Sequence, residues 1–182
     1  MIAPMQPEQR AVTGAGIEDL FRRHAANVHR YCASQLGSDA ADDLTQQTFL
    51  RALAAQERIP VPAGEARTWL IAIARNLCID SHRRHGRLRR VLDRLGRSAA
   101  APANVEVVVE QREQLRSVGR ALASLRPRER ELIGLRVAAG LSYREMAETA
   151  GGTEQICKVA THRALVRLRA RLPRALVEEL ES

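Results

Sequence analysis

The segment formed by residues 141–172 constrains the fold most strongly, because it joins two helix signatures by a connection that leaves room only for a tight bend. Ser142, followed three residues later by Glu145, has the pattern of a capping box, which begins a helix. The glycine pair at 151 and 152 supplies the conformational freedom that a sharp turn requires. Thr153 can then cap a second helix. This order of signals predicts a helix-turn-helix.

The second predicted helix, residues 154–172, carries an apolar stripe on one side and basic side chains on the other. We expect this stripe to pack against the first helix. Its members are Ile156, Cys157, Ala160, Ala164, Leu165, Leu168 and Leu172. Six basic residues and no acidic residue lie between Lys158 and Arg174, a density that favours contact with phosphate. The second helix of such a motif normally lies in the major groove of DNA. A basic, solvated surface on an ordinary helix pair is the alternative interpretation.

The charge of the chain points to a polyanion as its partner. Among 182 residues there are 29 Lys+Arg and 21 Asp+Glu, a formal net charge of +8, and such a surface attracts nucleic acid. All but one of the basic residues are arginine, which makes planar two-point contacts with phosphate and guanine. Aromatic residues make up only 3% of the chain, which argues against a surface that binds single strands mainly by stacking on many bases.

The cysteines and histidines give no indication of a metal or redox centre. Cys32, Cys78 and Cys157 have no CxxC spacing, so we expect free thiols in a cytoplasmic protein, and we favour packing over redox sensing. The five histidines lie at no metal-ligand spacing with cysteines or acids, so we expect no metal site. We also expect no cofactor, no small-molecule substrate and no enzymatic activity. The absence of an apolar run of transmembrane length predicts that the protein is not inserted in a membrane.

The chain is predicted to be all-α, because no alternating strand pattern is present. We expect two small helical domains joined by a flexible linker. The predicted divisions are a disordered tail at 1–16, a first domain at 17–95, a linker at 96–108, a second domain at 109–174 and an acidic tail at 175–182. In the first domain, Gly37 ends one helix, and Ser38 or Asp39 caps the next. In the second domain, Pro127 fits the first turn of a helix.

A second basic segment lies in the first predicted domain. Residues 69–74 are apolar on nearly all sides, which favours a buried helix. Residues 67–97 contain nine arginines and two histidines against two aspartates, which indicates a second nucleic-acid surface. A merely solvated, arginine-rich helix end is the alternative. Trp69 is predicted to be a core residue rather than a stacking platform, given its apolar neighbours.

The motifs that carry a family resemblance are, in chain order, DDLTQQTFLRAL, RTWLIAIARNLCIDSHRR, LRPRERELIGLR, GLSYREMAETAG and KVATHRALVRLR. In this combination they closely resemble the two modules of a bacterial sigma factor, and in particular the small extracytoplasmic-function (ECF) group. The resemblance covers roughly residues 17–172. It implies a transcription initiation subunit that binds the beta-prime and beta subunits of core RNA polymerase, recognises promoter DNA and helps to open it. It also implies an anti-sigma factor as a partner.

The resemblance further implies three sets of contact residues. The set for core polymerase consists of Asp42, Asp43, Leu44, Gln46, Gln47, Thr48 and Phe49. The set for the minus-10 element, where the family captures a flipped base, consists of Arg67, Arg75, Asn76, Asp80, Arg83 and Arg84. The set for the minus-35 element consists of Ser142, Thr153, Gln155, Lys158, Val159, His162, Arg163 and Arg167.

The chemistry of these side chains suits the implied roles. Asn76 and Asp80 lie one helical turn apart and can bond to an unpaired base, and Asp80 can accept from the exocyclic amine of cytosine or adenine. The recognition helix departs from the commonest family pattern, because QICKVATHRAL stands where many members have a start of the GTVKSRL type. His162 remains open to three interpretations: a phosphate contact, a guanine contact or a solvated side chain.

A second function is compatible with the helix-turn-helix taken alone. The chain would then be a stand-alone transcriptional regulator whose N-terminal half is a dimerisation or sensor domain. Such a protein should bind duplex DNA tightly without polymerase, whereas a sigma factor should require core enzyme for specific promoter binding.

Overall fold

The computed structural model describes residues 14–56, 63–94, 109–174 and 177, and all regular structure within these residues is helical. The all-α prediction is therefore confirmed. The predicted linker lies outside the described residues, as do the predicted tails apart from 14–16 and 177. The helices are α1 (Gly14–Leu36), α2 (Ser38–Gln56), α3 (Ala66–Arg94), α4 (Val109–Ala123), α5 (Pro127–Ile133), α6 (Tyr143–Ala150) and α7 (Glu154–Arg169).

The N-terminal half packs α1, α2 and α3 around one apolar core. The break between α1 and α2 is a single residue, Gly37, whose φ of 88° lies in the left-handed region that glycine tolerates best. The central helix α3 is buried along one side through Leu70, Ile71 and Leu77, none of which is exposed. Trp69 is partly buried against the same core, which agrees with its predicted packing role.

The C-terminal half is built from shorter helices that begin at recognisable sequence signals. Pro127 occupies the first turn of α5, as expected, and the backbone N–H of Arg126 donates to Glu129 Oε2 at 3.2 Å. The chain then continues through a π-helical segment, Gly134–Ala138, before α6. A small cluster of Leu125, Ile133 and Ala164 forms the core that belongs to this half alone.

The two halves are not separate in this structure, because a common core joins them. Leu132, Leu135, Leu141, Met146 and Cys157 of the C-terminal half belong to the same buried cluster as the residues of α1, α2 and α3. This arrangement was not expected from a chain with two predicted domains and a flexible linker between them.

All three cysteines are buried, free thiols. Cys32 in α1 and Cys78 in α3 contact one another, and a hydrogen bond to Cys32, together with burial, raises the pKa of the Cys78 thiol. The same contact lowers the pKa of the Cys32 thiol. The burial of the cysteine side chains agrees with the predicted packing role. Within the part of the chain that the structure describes, no helix is long and apolar enough to cross a membrane.

Candidate nucleic-acid and polymerase interfaces

The helix-turn-helix forms as the sequence predicts. Ser142 Oγ accepts from the backbone N–H of Glu145 at 3.2 Å, and Glu145 Oε2 accepts from the backbone N–H of Ser142 at 2.7 Å. At the other helix, Thr153 Oγ1 accepts from the backbone N–H of Ile156 at 3.3 Å. Because these side chains complete the first turns of α6 and α7, both helices begin at defined residues.

The outward face of α7 collects polar and basic side chains from successive turns. Gln155, Lys158, His162 and Arg163 are all exposed. Gln155, Lys158 and His162 recur at intervals of three and four residues and Arg163 follows His162, so all four lie on one side of the helix. The residues Cys157, Thr161 and Ala164 are buried on the other side. Lys158 and Arg163 have no ion-pair partner among the described residues, which leaves their charges available for phosphate.

Three apolar side chains interrupt this polar face. Ile156, Val159 and Val166 are 60%, 39% and 56% exposed. The prediction that Ile156 packs against the partner helix is therefore wrong. Ile156 lies one position before Cys157, and the rotation of about 100° per residue carries its side chain out of the interface. Exposed methyl groups beside basic side chains at the start of a helix suit contact with the methyl group of thymine.

Arg167 differs from Lys158 and Arg163, the other predicted minus-35 cations, because it has an ion-pair partner within the protein. Its guanidinium donates to Glu129 at the start of α5, so this side chain ties α7 to α5. Thr153 and Ser142 are likewise engaged as helix caps. The structure thus gives these three residues a structural task in addition to any contact with DNA.

The long helix α3 separates its predicted minus-10 residues onto two sides. Asn76, Asp80, Arg83 and Arg84 are exposed, and their spacing places them on one outward face that spans about 12 Å along the helix axis. Arg83 and Arg84 form no ion pair with any described residue. This face combines an amide, a carboxylate and two guanidinium groups.

Arg67 and Arg75 instead face the C-terminal half. Arg75 Nε donates to Glu131 Oε1 in α5 at 2.6 Å, and Arg67 Nη2 donates to Glu145 Oε1 in α6 at 2.8 Å. Thr68 Oγ1 donates to the same Glu145 oxygen at 3.1 Å. These two arginines are therefore occupied by contacts between the halves.

The carboxylate of Glu145 is held in its ionised form. Burial opposes the charge, but hydrogen bonds from the Ser142 backbone, from Arg67, from the Ser142 hydroxyl and from Thr68 outweigh it and lower the pKa of Glu145 to about 2. Donors that surround a carboxylate stabilise the anion in this way. One side chain therefore serves both the cap of α6 and the contact with α3.

The outward face of α2 carries most of the predicted polymerase-binding residues. Asp42, Asp43, Gln46 and Gln47 are exposed, whereas Leu44 and Phe49 are buried and fix the helix to the core, as expected. Thr48 departs from the prediction that it contacts polymerase. It is fully buried, and its Oγ1 donates to the Leu44 carbonyl at 2.7 Å. Its position inside the core removes it from any surface that a partner could reach.

Sequence analysis missed an apolar extension of this face. Leu50 and Leu53 are 58% and 42% exposed, and Phe21 of α1, whose ring packs edge-on against Phe49, is 50% exposed. The signal was present in the spacing, because Leu50 follows Asp43, Gln46 and Gln47 at helical intervals on the same side. Apolar side chains exposed beside a polar rim are typical of protein–protein interfaces.

Both halves match known family profiles, in chain order. The profile described as Sigma-70 region 2 matches residues 20–88. The profile described as Sigma-70, region 4 matches residues 115–168. The first match includes the exposed minus-10 candidates of α3, and the second includes the helix-turn-helix.

Relatives that match most of the chain are sigma factors. The chain is 36% identical over 170 residues to the probable RNA polymerase sigma-C factor of Mycobacterium bovis, and the aligned part covers 92% of this chain and 85% of the relative. It is 32% identical over 163 residues to the ECF RNA polymerase sigma factor SigL of Mycobacterium tuberculosis, covering 89% and 92% of the two chains.

Solved structures with this fold include two complexes. The sigma factor RpoE in complex with the anti-sigma factor NepR, from Bartonella quintana, has a TM-score of 0.65 and 28% identity, covering 85% of this chain and 94% of that one. CnrH, in complex with the cytosolic domain of CnrY, shares the fold with a TM-score of 0.65 at 24% identity, covering 90% of this chain and 91% of that one.

Proposed function

The chain belongs to the ECF group of sigma-70 factors, and from this premise we propose that three outward faces, on α2, α3 and α7, divide between them the contacts of transcription initiation. In this family the chain binds core RNA polymerase, recognises the minus-10 and minus-35 elements and promotes DNA opening. The observation that carries the division is that α3 and α7 each expose polar and basic side chains at helical spacing while their opposite sides are buried.

We propose that the face of α7 reads the minus-35 element. Lys158 and Arg163 contact phosphates and set the orientation of the helix, while Gln155 and His162 reach base edges. Ile156 and Val159 contact thymine methyl groups. The exposure of both apolar side chains beside free cations supports this assignment.

The thymine contact can be tested by removing the methyl group from the DNA. Duplexes in which single thymines of the minus-35 element are replaced by deoxyuridine should bind the wild-type holoenzyme less well at the contacted position, because a good base contact is worth about 1–3 kcal/mol and a methyl group a part of it. The Ile156→Ala, Val159→Ala double variant should be insensitive to the same replacement. An equal loss for both proteins would contradict the contact.

We propose that the outward face of α3 holds the minus-10 element. Asn76 and Asp80 face one side of the helix within one turn of each other and supply acceptors and donors for the edge of an unpaired base. Arg83 and Arg84 follow one turn later, where they can hold the neighbouring phosphates. The absence of any ion pair for these two arginines within the described part of the chain supports this role.

We propose that α2 docks on core polymerase through Asp42, Asp43, Gln46 and Gln47, extended by the apolar side chains of Leu50 and Leu53 in place of the buried Thr48. Acidic groups steer the encounter with a basic partner, and the leucines add apolar area to be buried. Docking on polymerase implies action in the cytoplasm. Because RpoE, a similar protein, is held by an anti-sigma factor, we also propose an anti-sigma factor as a partner of this chain.

Run-off transcription with purified core polymerase tests the function. Wild-type protein should give specific transcripts from a library of genomic DNA fragments of its host, and the Arg83→Ala, Arg84→Ala double variant should lose most of them, since removal of two phosphate contacts weakens capture of the opened strand.

The matched control is the Arg22→Ala, Arg23→Ala double variant, because this adjacent exposed pair lies on α1 and is engaged with Glu18 and Asp19. It should retain transcription. If core enzyme neither associates with the wild-type chain nor begins RNA synthesis in its presence, the function is wrong. Tight and specific duplex binding without polymerase would favour the stand-alone regulator instead.

A further inference from the structure

We propose that the first turn of α5 fixes the orientation in which α7 meets DNA, with Glu129 as the positioning residue and Arg167 acting through it. Arg167 does not contact the minus-35 element itself, although the family resemblance places it among the contact residues. The inference rests on the role proposed above for α7, and it deepens that role by naming a specificity-determining residue outside the helix-turn-helix.

Arg167 is engaged within the protein, in contrast to the cations that precede it on α7. It lies one turn beyond Arg163, in the last turn of the helix, and its guanidinium binds the carboxylate of Glu129, whose side chain is only 13% exposed. A phosphate that drew the guanidinium away would leave a shielded carboxylate without its cation, which is costly. Lys158 and Arg163 are exposed and form no ion pair with any described residue, so contact with phosphate costs them no internal partner.

The carboxylate of Glu129 holds two helices at once. Its Oε2 accepts from the backbone N–H of Arg126 at 3.2 Å and so completes the first turn of α5, while its Oε1 accepts from Arg167. Burial opposes the charge of Glu129, but the hydrogen bonds from Arg126 and Arg167 outweigh it and lower the pKa of this carboxyl. Because the cap fixes the Glu129 side chain to α5, a rotation of α7 would separate the ion pair.

The same turn of α5 also contacts the turn that precedes α7. Arg128 Nη2 donates to the carbonyl of Gly151 at 3.4 Å, and Arg128 Nη1 donates to Glu131 Oε2 at 2.7 Å. In addition, Ile133 of α5 and Ala164 of α7 are buried in one small cluster. The helix α5 therefore contacts the turn before α7, the buried side of α7 and its last turn, so α7 cannot tilt or rotate without loss of a contact.

The orientation of α7 matters more for the side chains that reach bases than for those that reach phosphates. Base-edge contacts require a fixed geometry and carry the sequence information, whereas phosphate contacts supply affinity that is independent of sequence. A small rotation of α7 misplaces Gln155 and His162, while the long side chains of Lys158 and Arg163 still reach the DNA backbone. Loss of the contact with α5 should therefore reduce discrimination between sequences and leave the number of phosphate contacts unchanged.

Four substitutions separate positioning from DNA contact. Glu129→Gln keeps one oxygen for the cap of α5 but loses the charge that holds Arg167, and Arg167→Gln removes the guanidinium. Arg163→Gln removes a proposed phosphate contact. The matched control is Glu113→Gln, which breaks a pair with Arg120 within α4, where the two side chains are 53% and 68% exposed.

The first experiment measures binding of the free, full-length chain to a duplex of about thirty base pairs without promoter sequence, at several salt concentrations. Each phosphate contact that is lost reduces the slope of log K against log salt by about 0.9. Arg163→Gln should show this reduction. Arg167→Gln, Glu129→Gln and Glu113→Gln should keep the wild-type slope, and circular dichroism should show equal helix content in every protein.

The second experiment uses each protein with core polymerase on promoter fragments recovered by run-off transcription. It compares the affinity for the native minus-35 element with the affinity for the same fragment carrying one changed base pair. Glu129→Gln and Arg167→Gln should each lower the wild-type preference about five-fold, and the double variant should lower it no further, because the two residues act through one contact. Glu113→Gln should keep the preference, and Arg163→Gln should weaken binding to both fragments alike.

Three outcomes overturn the proposal. A reduced salt slope for Arg167→Gln would show that this guanidinium contacts phosphate. An unchanged preference in Glu129→Gln, or additive losses in the double variant, would show that Arg167 does not act through Glu129. If the wild-type protein with core polymerase shows no preference, the proposed function fails instead, and the salt slopes, measured without polymerase, still decide whether Arg167 contacts DNA.

Discussion

The two halves of the molecule reach stability by different means. The N-terminal half consists of helices of 23, 19 and 29 residues around a continuous core, whereas α5 and α6 in the C-terminal half have only 7 and 8 residues. Helices that short are marginal on their own in water. The C-terminal half has a separate cluster of only three buried core residues and otherwise relies on caps, ion pairs and the neighbouring half. The C-terminal half therefore depends on its contacts with the N-terminal half for part of its stability.

The largest expected effect on stability comes from the core of the N-terminal half. Leu70→Ala should lower the free energy of unfolding by about 3 kcal/mol, because it removes a fully buried side chain from close packing. Leu168→Ala, in the partly buried margin of the C-terminal cluster, should cost about 1 kcal/mol. Urea denaturation measures both. Equal losses would contradict the contrast between the halves.

The contact between the halves should come next. A double-mutant cycle of Arg75→Gln and Glu131→Gln should give a coupling energy of about 1–2 kcal/mol, since the pair is shielded and hydrogen-bonded. The control cycle, Arg144→Gln with Glu148→Gln, concerns a pair whose side chains are 82% and 58% exposed. Its coupling should be about 0.3 kcal/mol. Comparable couplings in the two cycles would mean that the halves do not shield their pair in solution.

The caps of the short helices should have a similar but smaller effect. Ser142→Ala should cost about 1 kcal/mol in unfolding, because the first turn of α6 loses the acceptor for the Glu145 N–H. Ser142→Asp restores an acceptor and should recover most of the loss, which separates capping from side-chain volume. Protection of the Glu145 amide against hydrogen exchange gives a local readout. Failure of aspartate to restore that protection would argue against the cap.

The effect of acid should appear only below neutral pH, where the carboxylate of Glu145 becomes protonated. Because the pKa of Glu145 in the folded chain is about 2 and its ordinary value is 4.5, its ionised form stabilises the fold at any pH above 4.5. That contribution is lost progressively as the pH falls from there towards 2. The wild type should therefore lose more stability over this interval than Glu145→Gln, as measured by urea unfolding at successive pH values. Parallel pH profiles would show that the hydrogen bonds to Glu145 are weak.

Local signals in the sequence were sufficient for the elements themselves. The caps at Ser142 and Thr153, the stop at Gly37 and the first turn at Pro127 are all short-range hydrogen-bonding or steric effects, so they can be predicted without knowledge of the fold. The family resemblance was confirmed by the matching profiles and relatives. The assignment of individual residues to promoter elements and to core polymerase remains a set of predictions.

Features that depend on packing between distant segments were not predictable. Ile156 and Thr48 show this limit within a single helix. The apolar character of Ile156 and the polar character of Thr48 did not reveal which face of each helix packs against the core. The pairing of Arg75 with Glu131 joins residues 56 positions apart, and no periodicity reports such a contact. The approach of Gly134 to α1, where a Cβ would lie 2.7 Å from Ser34 Oγ, is likewise a property of the assembled molecule.

The two oxygens of Glu145 bind different donors, so its two structural roles do not compete. Oε2 receives the backbone of Ser142, while Oε1 receives Arg67 and Thr68. The hydrogen bond that caps α6 therefore does not depend on the contact with α3, and replacement of Arg67 or Thr68 should leave the first turn of α6 in place.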